Sequence, residues 1–470
     1  VQKYKNIGTV IGINTFCSRL LQYLWALKRL SSRNFARAMR TGPSFIGIII
    51  FFGILILVDW YVFSGVRTVT SGFEARTRRI IHWSYWLVNI SLFVWAIALF
   101  FFVPTEKGMP RAFMTFMGVW IMFFVPKLLF LLVLVGEDVY RILKSGYQLV
   151  QNWMSPSVEH VTDNSRRKFI SQVALGIAMI PLLGVAHGML AGRFRFRVRK
   201  ETLWFPDLPA AFEGFTITQL SDIHIGSFDP ESDREAVRRG IQLANDQRSD
   251  LLVFTGDLVN NMAAEMLPWK SELAQLNAKE GKFSILGNHD YGDYIRWDSA
   301  AEKQQNFSNL LATHEEIGFR LMRNEHHVIE RNGEKLYLVG VENWGTGGFV
   351  QHGDLDKAME AVPQDGFKVL LSHDPSHWDN IVSKHHTQVH LTLSGHTHGM
   401  QFGVEIPGIK FSPVQFRYPH WAGLYHEVQR RYLYVNRGFG FLAFPGRVGI
   451  WPEVTVLELR KGGTPGISQG

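Results

Sequence analysis

Histidine, aspartate and asparagine recur in five short segments between residues 217 and 399, in an arrangement suited to holding metal ions. ITQLSDIHIGS presents Asp222 and His224, and LLVFTGDLVNN presents Asp257. FSILGNHDYG presents Asn288, His289 and Asp290, VLLSHDP presents His373, and VHLTLSGHTHG presents His396 and His398. Carboxylate, amide and imidazole donors suit borderline-to-hard divalent cations such as Mn, Fe and Zn. The single cysteine, Cys17, argues against a thiolate site and excludes a disulfide scaffold. On an extended segment residues i and i+2 point the same way, so Asp222 with His224, and likewise His396 with His398, can each grip one ion. A carboxylate shared by two cations can hold them about 3.5–4 Å apart, the separation used in two-metal hydrolysis. Nine other histidines, His326, His327, His352, His377, His385, His386, His390, His420 and His426, sit in no such pattern and are read as surface or packed residues.

Each metal-type segment opens with a run of apolar or β-branched residues and closes at Gly or Asp, the pattern of a buried strand. Placing the polar groups at strand carboxyl ends gathers them on one edge of a sheet. Helical patterns at 231–247 and 263–279 give a β-α-β alternation.

In the ordered set D-x-H, G-D-x-x-N, G-N-H-D, H, G-H-x-H, residues 202–460 resemble the calcineurin-like metallophosphoesterase superfamily, and most of all its membrane-anchored bacterial branch. The tail YVNRGFGFLAFPGRVGIWPEVTVLEL is similar to that branch's closing strands. The resemblance implies an α/β metallophosphoesterase domain, a four-layer α/β/β/α sandwich, with two divalent metal ions. It implies Asp222, His224 and His398 at the first ion, and Asn288, His373 and His396 at the second. Asp257 would bridge, His289 would be the general acid, and Asp290 fills a position beside it that is often acidic. Two departures stand out. Asn260 replaces an Asp found in some members, so a carboxylate supporting His289 must come from elsewhere, and Met400 replaces a Gly at the pocket rim. Tyr291, Asn343, Trp344 and Arg437 are candidates for substrate contact.

The rest of the chain is a different polymer. Of its 470 residues, 1–200 carry 25 Lys+Arg and 7 Asp+Glu, whereas 201–470 carry 24 and 34. The net charge of +8 therefore divides into +18 and −10. A domain that is net negative has no general basic footprint for nucleic acid, which argues against a nuclease. Four apolar stretches, at about 44–66, 80–103, 112–135 and 169–191, are each long enough to cross a hydrocarbon core of about 30 Å. The expected organisation is a basic N-terminal extension (1–40), a four-helix transmembrane anchor (41–192), a linker (193–201), the hydrolase (202–460) and a tail (461–470). Arg67, Arg76, Arg78 and Arg79 follow the first span, and Arg141, Lys144 and Arg166–Lys168 precede the fourth. By the positive-inside rule these loops are cytoplasmic and the hydrolase lies outside a bacterial plasma membrane. Against this stand the basic residues 193–200 after the fourth span and seven in 1–38. Ser165–Ile170 resembles a twin-arginine export signal, or is an ordinary charge anchor. Asp59 and Lys127 fall inside spans and are expected to pair, because an unpaired intramembrane charge is costly.

The function expected is hydrolysis of a phosphoester or phosphoanhydride, on a phosphorylated substrate that is lipid-linked or of the envelope. The competing reading is a membrane sensor or scaffold that binds a phosphorylated lipid without turnover.

Overall fold

The computed structural model describes residues 45–104, 107–154, 164–426 and 431–463. The expected N-terminal extension at 1–40 lies outside them, as does most of the tail. The chain divides into two compact units, Val1–Thr105 with Val119–Leu183, and Glu106–Gly118 with Gly184–Gly470.

The first unit is helical. Helices α1 (Phe45–Val69), α2 (Ala75–Phe102), α3 (Arg111–Met154) and α4 (Asn164–Leu190) are each long and apolar enough to cross a membrane. Pro126 and Pro181 sit inside α3 and α4, which membrane helices tolerate. The bundle closes on Val62, Val69, Phe130, Leu134, Ala174 and Ala178. Gly65 admits Phe130 and Leu134, which a Cβ there would meet at 2.6–2.8 Å. Lys127 and Asp59 pair as expected, Nζ to Oδ1 at 2.7 Å. Lys127 also donates to the Asn89 carboxamide, and Tyr85 donates to the Asp59 carbonyl at 2.8 Å. Helix α3 continues well past Val135, where its apolar run ends. The extension, GEDVYRILKSGYQLVQNWM, contains no proline, so the helix persists after the hydropathy signal is gone. Arg166 and Arg167, of the twin-arginine-like segment, lie in the first turn of α4 near Glu137 (3.2 Å) and Asp138 (3.8 Å) of α3.

The second unit carries two six-stranded mixed sheets. The first has the order β1-β14-β2-β3-β4-β5, with β1 Arg197–Phe205, β2 Thr216–Leu220, β3 Leu251–Phe254, β4 Lys282–Ser284, β5 Arg320–Leu321 and β14 Glu453–Lys461. The second has the order β12-β13-β9-β8-β7-β6, with β6 Glu325–Arg331, β7 Glu334–Gly340, β8 Phe367–Leu371, β9 Leu391–Ser394, β12 Gly423–His426 and β13 Tyr432–Val435. A separate ribbon pairs β10 (Val404–Ile406) with β11 (Ile409–Phe411).

Strand alternation builds the layers. In β3, Leu251 and Val253 enter the core between the sheets. Leu252 and Phe254 face Val237, Ile241 and Ala244 of helix α5 (Arg234–Asn245). In β8, Phe367, Val369 and Leu371 face inward, while Leu370 packs with Trp378 and Val382. The result is the four-layer α/β/β/α sandwich.

Two expectations are corrected here. Residues 193–201 are not a linker: a short helical turn at Gly192–Phe194 leads straight into β1, which pairs in parallel with β14. Its alternating charges read as a spacer, yet they belong to an outer strand. The helical pattern at 263–279 is broken by Pro268 into a turn at Ala263–Met266 and one helical turn at Lys270–Leu273. A full helix, α6 (Ala300–Glu316), follows further on, capped by Ser299, whose hydroxyl accepts from the Glu302 N–H.

The start of α3 and the end of α4 belong to this second unit. Gly188 and Gly192 let the loop at 445–448 come close, since a Cβ on either would lie 2.7 Å or 2.4 Å from the Arg447 carbonyl. The Arg447 N–H donates to the Gly188 carbonyl at 3.1 Å. Lys107 and Arg111 pair with Glu302 (3.0 Å) and Asp229 (2.7 Å).

Candidate metal centre

Strands β2, β3 and β4 run parallel to one another, as do β8 and β9. Their carboxyl ends deliver Asp222, Asp257, Asn288, His373 and His396 within a few residues. The turns that follow are not extended. Asp222, His224, Asp257, His396 and His398 all have positive φ, between 45° and 70°. Non-glycine residues rarely hold this conformation, and it concentrates where function over-determines the backbone.

Two clusters result: Asp222, His224 and His398, and Asp257, His373 and His396. His396 and His398 therefore do not grip one ion together. Both have a left-handed backbone, so the side-chain alternation of an extended strand does not apply to them. One carboxylate oxygen, Asp257 Oδ2, lies 3.4 Å from His224 Nε2 and 3.2 Å from His373 Nε2, one ring from each cluster. Asn288 Oδ1 faces His396 Nδ1 at 2.8 Å and His373 Nε2 at 3.2 Å.

The donor set fits divalent cations. Among the described residues, both ring nitrogens of His224 and Nε2 of His398 are buried with no hydrogen-bond partner, an arrangement that is costly unless a ligand fills it. Neighbouring groups fix the rings. His373 Nδ1 donates to the Thr255 carbonyl at 2.7 Å, which turns Nε2 inward. His396 Nε2 meets the Tyr418 hydroxyl at 2.8 Å, and Asn288 Nδ2 donates to the Tyr294 hydroxyl at 2.8 Å. Buried Arg447 reaches His398 Nδ1 at 3.3 Å. Of these supporting residues, Thr255 lies in the Asp257 segment and Arg447 in the closing tail, but neither residue type marks a metal site, and Tyr418 lies in a loop with no such motif. Tyr294 stands close behind G-N-H-D.

Charge is tightly shared in this cluster. Burial alone would raise the Asp257 carboxyl, but His373 leads the neighbours that hold it well below the usual range. Burial pulls His373 down, and the Asp257 carboxylate overrides it to about 10. His289 is lowered to about 4, chiefly by burial. Its Nδ1 donates to the Asn260 carbonyl at 2.8 Å. The support for His289 is thus a main-chain oxygen of the departing residue and not a carboxylate.

The remaining candidates change role. Asp290 is fully buried, and its two oxygens accept from the N–H groups of Gly287, Asp257 and Leu258 at 2.9 Å and from Val259 at 3.3 Å. It shapes the loops that carry the ligands and is a positioning residue. Arg437 is buried between Glu453 (2.6 Å) and Glu405 and is no substrate contact. Tyr291 stacks on Phe307 and accepts from the Asn343 N–H; Asn343 donates to the Val350 carbonyl, and Trp344 leans on His377. None of the nine histidines read as packed or surface residues enters either cluster among the described residues.

Two carboxylate–imidazole clusters joined by one carboxylate, at the strand ends of a double-sheet sandwich, define a dinuclear-type hydrolase. Comparison with known proteins agrees. Residues 40–193 match the family described as "Probable Calcineurin-like phosphoesterase, transmembrane domain", and 215–400 match "Calcineurin-like phosphoesterase". The uncharacterized metallophosphoesterase YkuE of Bacillus subtilis is 31% identical over 260 residues, 54% of this chain and 82% of its own length. A bovine transmembrane protein with metallophosphoesterase domain is 27% identical over 353 residues, 72% of this chain and 71% of its own. The phosphodiesterase YaeI of Escherichia coli is 29% identical over 63% of this chain and 99% of its own. The chain belongs to the calcineurin-like metallophosphoesterase family. It is a multi-pass membrane protein and a metal-dependent phosphoesterase, with relatives in vertebrates as well as in bacteria.

Proposed function

We propose that this protein hydrolyses a phosphodiester by attack of water at a centre of two divalent ions, Mn, Fe or Zn. The observation that carries the reading is the position of Asp257 Oδ2 between His224 and His373, which suits a bridging carboxylate. Asp222, His224 and His398 would hold one ion, and Asn288, His373 and His396 the other. Bound there, the ions supply Lewis acidity towards the phosphoryl oxygens and make water a stronger nucleophile.

The chain's own residues then divide the remaining work. Asp257 also accepts the His289 N–H at 2.9 Å, which ties the proton donor to the bridge. With Nδ1 committed to Asn260, His289 keeps Nε2 to pass a proton to the departing alkoxide. The negative charge of a bound phosphoester opposes burial and favours the imidazolium this requires. A diester is favoured over other phosphoesters by the likeness to YaeI along nearly all of that protein's length.

A panel of mono-, di- and pyrophosphate esters on manganese-loaded protein tests the reading, and fastest turnover of diesters is expected. His289→Gln should keep both ions and slow alkyl esters by about 10²–10⁴, with little loss on activated aryl esters. Equal loss on both would remove His289 from the acid role.

We also place the catalytic unit outside the cytoplasm. The basic residues gather in the first and third loops, and the second carries only Lys107 and Arg111. Reporter fusions after Lys200 should read as extracytoplasmic; a cytoplasmic readout would overturn the assignment.

A further inference from the structure

The β10–β11 ribbon is inside out for a hairpin in water. Its register pairs Val404 with Phe411, Glu405 with Lys410 and Ile406 with Ile409. By strand alternation Val404, Ile406, Ile409 and Phe411 share one face, and Glu405 and Lys410 share the other. It is the charged face that turns towards the protein. Glu405 is held by Arg437 and by Arg199 (2.6 Å), and Lys410 bonds the Ala422 carbonyl and lies 5.0 Å from the rings of Trp421 and Tyr425. The apolar face is left open, with Ile406 and Ile409 more than half exposed at the tip. Met400 before the ribbon and Phe416 after it extend the same exposed set, Phe416 at 82%. Met400 holds a φ of 54° there, a strained conformation for a residue with a side chain. Apolar side chains exposed on one face of a ribbon, with Phe416 against Phe411, mark an interaction surface.

The occupant follows from what the ribbon is rooted to. The Gly403 N–H donates to the Val448 carbonyl at 2.9 Å, and the Val448 N–H donates to the Gln401 carbonyl at 2.7 Å. The same 447–448 segment bonds the Gly188 carbonyl through Arg447 and presses Val448 against Gly188, in the last turn of the fourth membrane helix. The apolar ribbon thus springs from the point where the chain leaves the hydrocarbon. The metal centre shares this stretch of chain. His398 lies just before Met400, and Tyr418, whose hydroxyl meets His396, lies just after Phe416.

We propose that the β10–β11 ribbon, with Met400 and Phe416, seats in the bilayer interface beside the end of α4, so that the metal centre takes a phosphoester carried on a membrane lipid. The surface stands on the geometry of the ribbon; the lipid substrate rests in addition on the phosphoesterase reading above. Such insertion would place the apolar side chains among acyl chains and bring a lipid phosphoester towards the residues that would hold the metals.

The test uses the full chain in phospholipid nanodiscs, with Cys17→Ser and Ile406→Cys labelled by an environment-sensitive fluorophore. Blue-shifted emission, quenched by lipids carrying a nitroxide near the headgroup, is expected. Emission at the position found in water, with no quenching, overturns the surface. In the same nanodiscs Ile406→Ser with Ile409→Ser should slow hydrolysis of an acyl-chain phosphodiester in the bilayer by about tenfold or more, since each loses an apolar contact with lipid. Hydrolysis of soluble bis(p-nitrophenyl) phosphate should be unchanged. Equal rates for the parent and the double variant on the lipid ester overturn the lipid substrate. If the manganese-loaded parent fails on the soluble ester, the phosphoesterase reading falls, while the fluorophore still decides the surface.

Discussion

In the membrane bundle, Lys127 finds Asp59 and Asn89 within hydrogen-bonding reach; in the catalytic unit, His224 is buried with neither ring nitrogen satisfied. Both regions place ionisable groups where water does not solvate them. In the bundle the charges meet each other, and the arrangement is complete as it stands. At the strand ends carboxylate, amide and imidazole groups converge, and their mutual contacts leave His224 without a hydrogen-bond partner among the described residues. The difference separates charge that holds a structure together from charge that waits for a ligand. Burial alone does not distinguish the two, but the partner list does.

The largest expected effect breaks the waiting side. Asp257→Asn should lower bound manganese below two ions per chain and bring hydrolysis to that of a chelator-stripped control, as read by elemental analysis and initial rates. Two ions retained at full affinity would remove Asp257 from its place between the clusters. Next comes the self-satisfied side. Lys127→Met or Asp59→Asn alone should cost about 3–5 kcal/mol, because each strands a buried partner, and the double variant should recover much of it. Thermal unfolding in detergent micelles reads this cycle, and strict additivity would mean that the two residues do not stabilise one another. A smaller change tests the groups that aim the ligands. Tyr418→Phe should weaken manganese binding about 10- to 100-fold by calorimetry while leaving the fold intact.

Asp250 gives the smallest effect and sharpens the comparison with a carboxylate that has many partners. It accepts from the Thr216 N–H and hydroxyl, both at 2.9 Å, and lies near Arg331 (2.9 Å) and Lys279 (3.1 Å). Burial would raise it, but the hydrogen bonds from Thr216, then Lys279 and Arg331, hold it down to about 2. A carboxyl lowered on folding adds stability above its unfolded pKa of about 3.9 and loses it as pH falls towards 2. Asp250→Asn should therefore cost about 1–2 kcal/mol at pH 7 and little at pH 2, by denaturant titration.

The residues of the two clusters were legible in the sequence, and residue spacing alone did not group them. Asp222, Asp257, Asn288, His373, His396 and His398 were legible because each closes an apolar strand run, and parallel strands bring those ends together. The grouping came from the family resemblance and not from strand alternation, which would have put His396 and His398 on one ion although they fall in different clusters. Arg437 looked available for substrate because Glu405 and Glu453, which enclose it, are distant in sequence. Asp59 and Lys127 were recoverable across 68 positions because hydrocarbon leaves a charge so few alternatives. Strand β1 was hidden by its own charges, since an outer strand with a wet face reads like a spacer.

The glycines at 188 and 192 bear on where this molecule can be cut. A fragment begun at Thr202 would start partway along β1 and would deprive Arg447 of the carbonyl that holds its main chain. The same arginine reaches His398, so trimming the anchor too closely disturbs a residue of the first metal-type cluster. For expression as a soluble enzyme, the natural boundary lies upstream of Gly184. The last turns of the fourth helix are architecturally part of the hydrolase, and its first residues are drawn from the anchor.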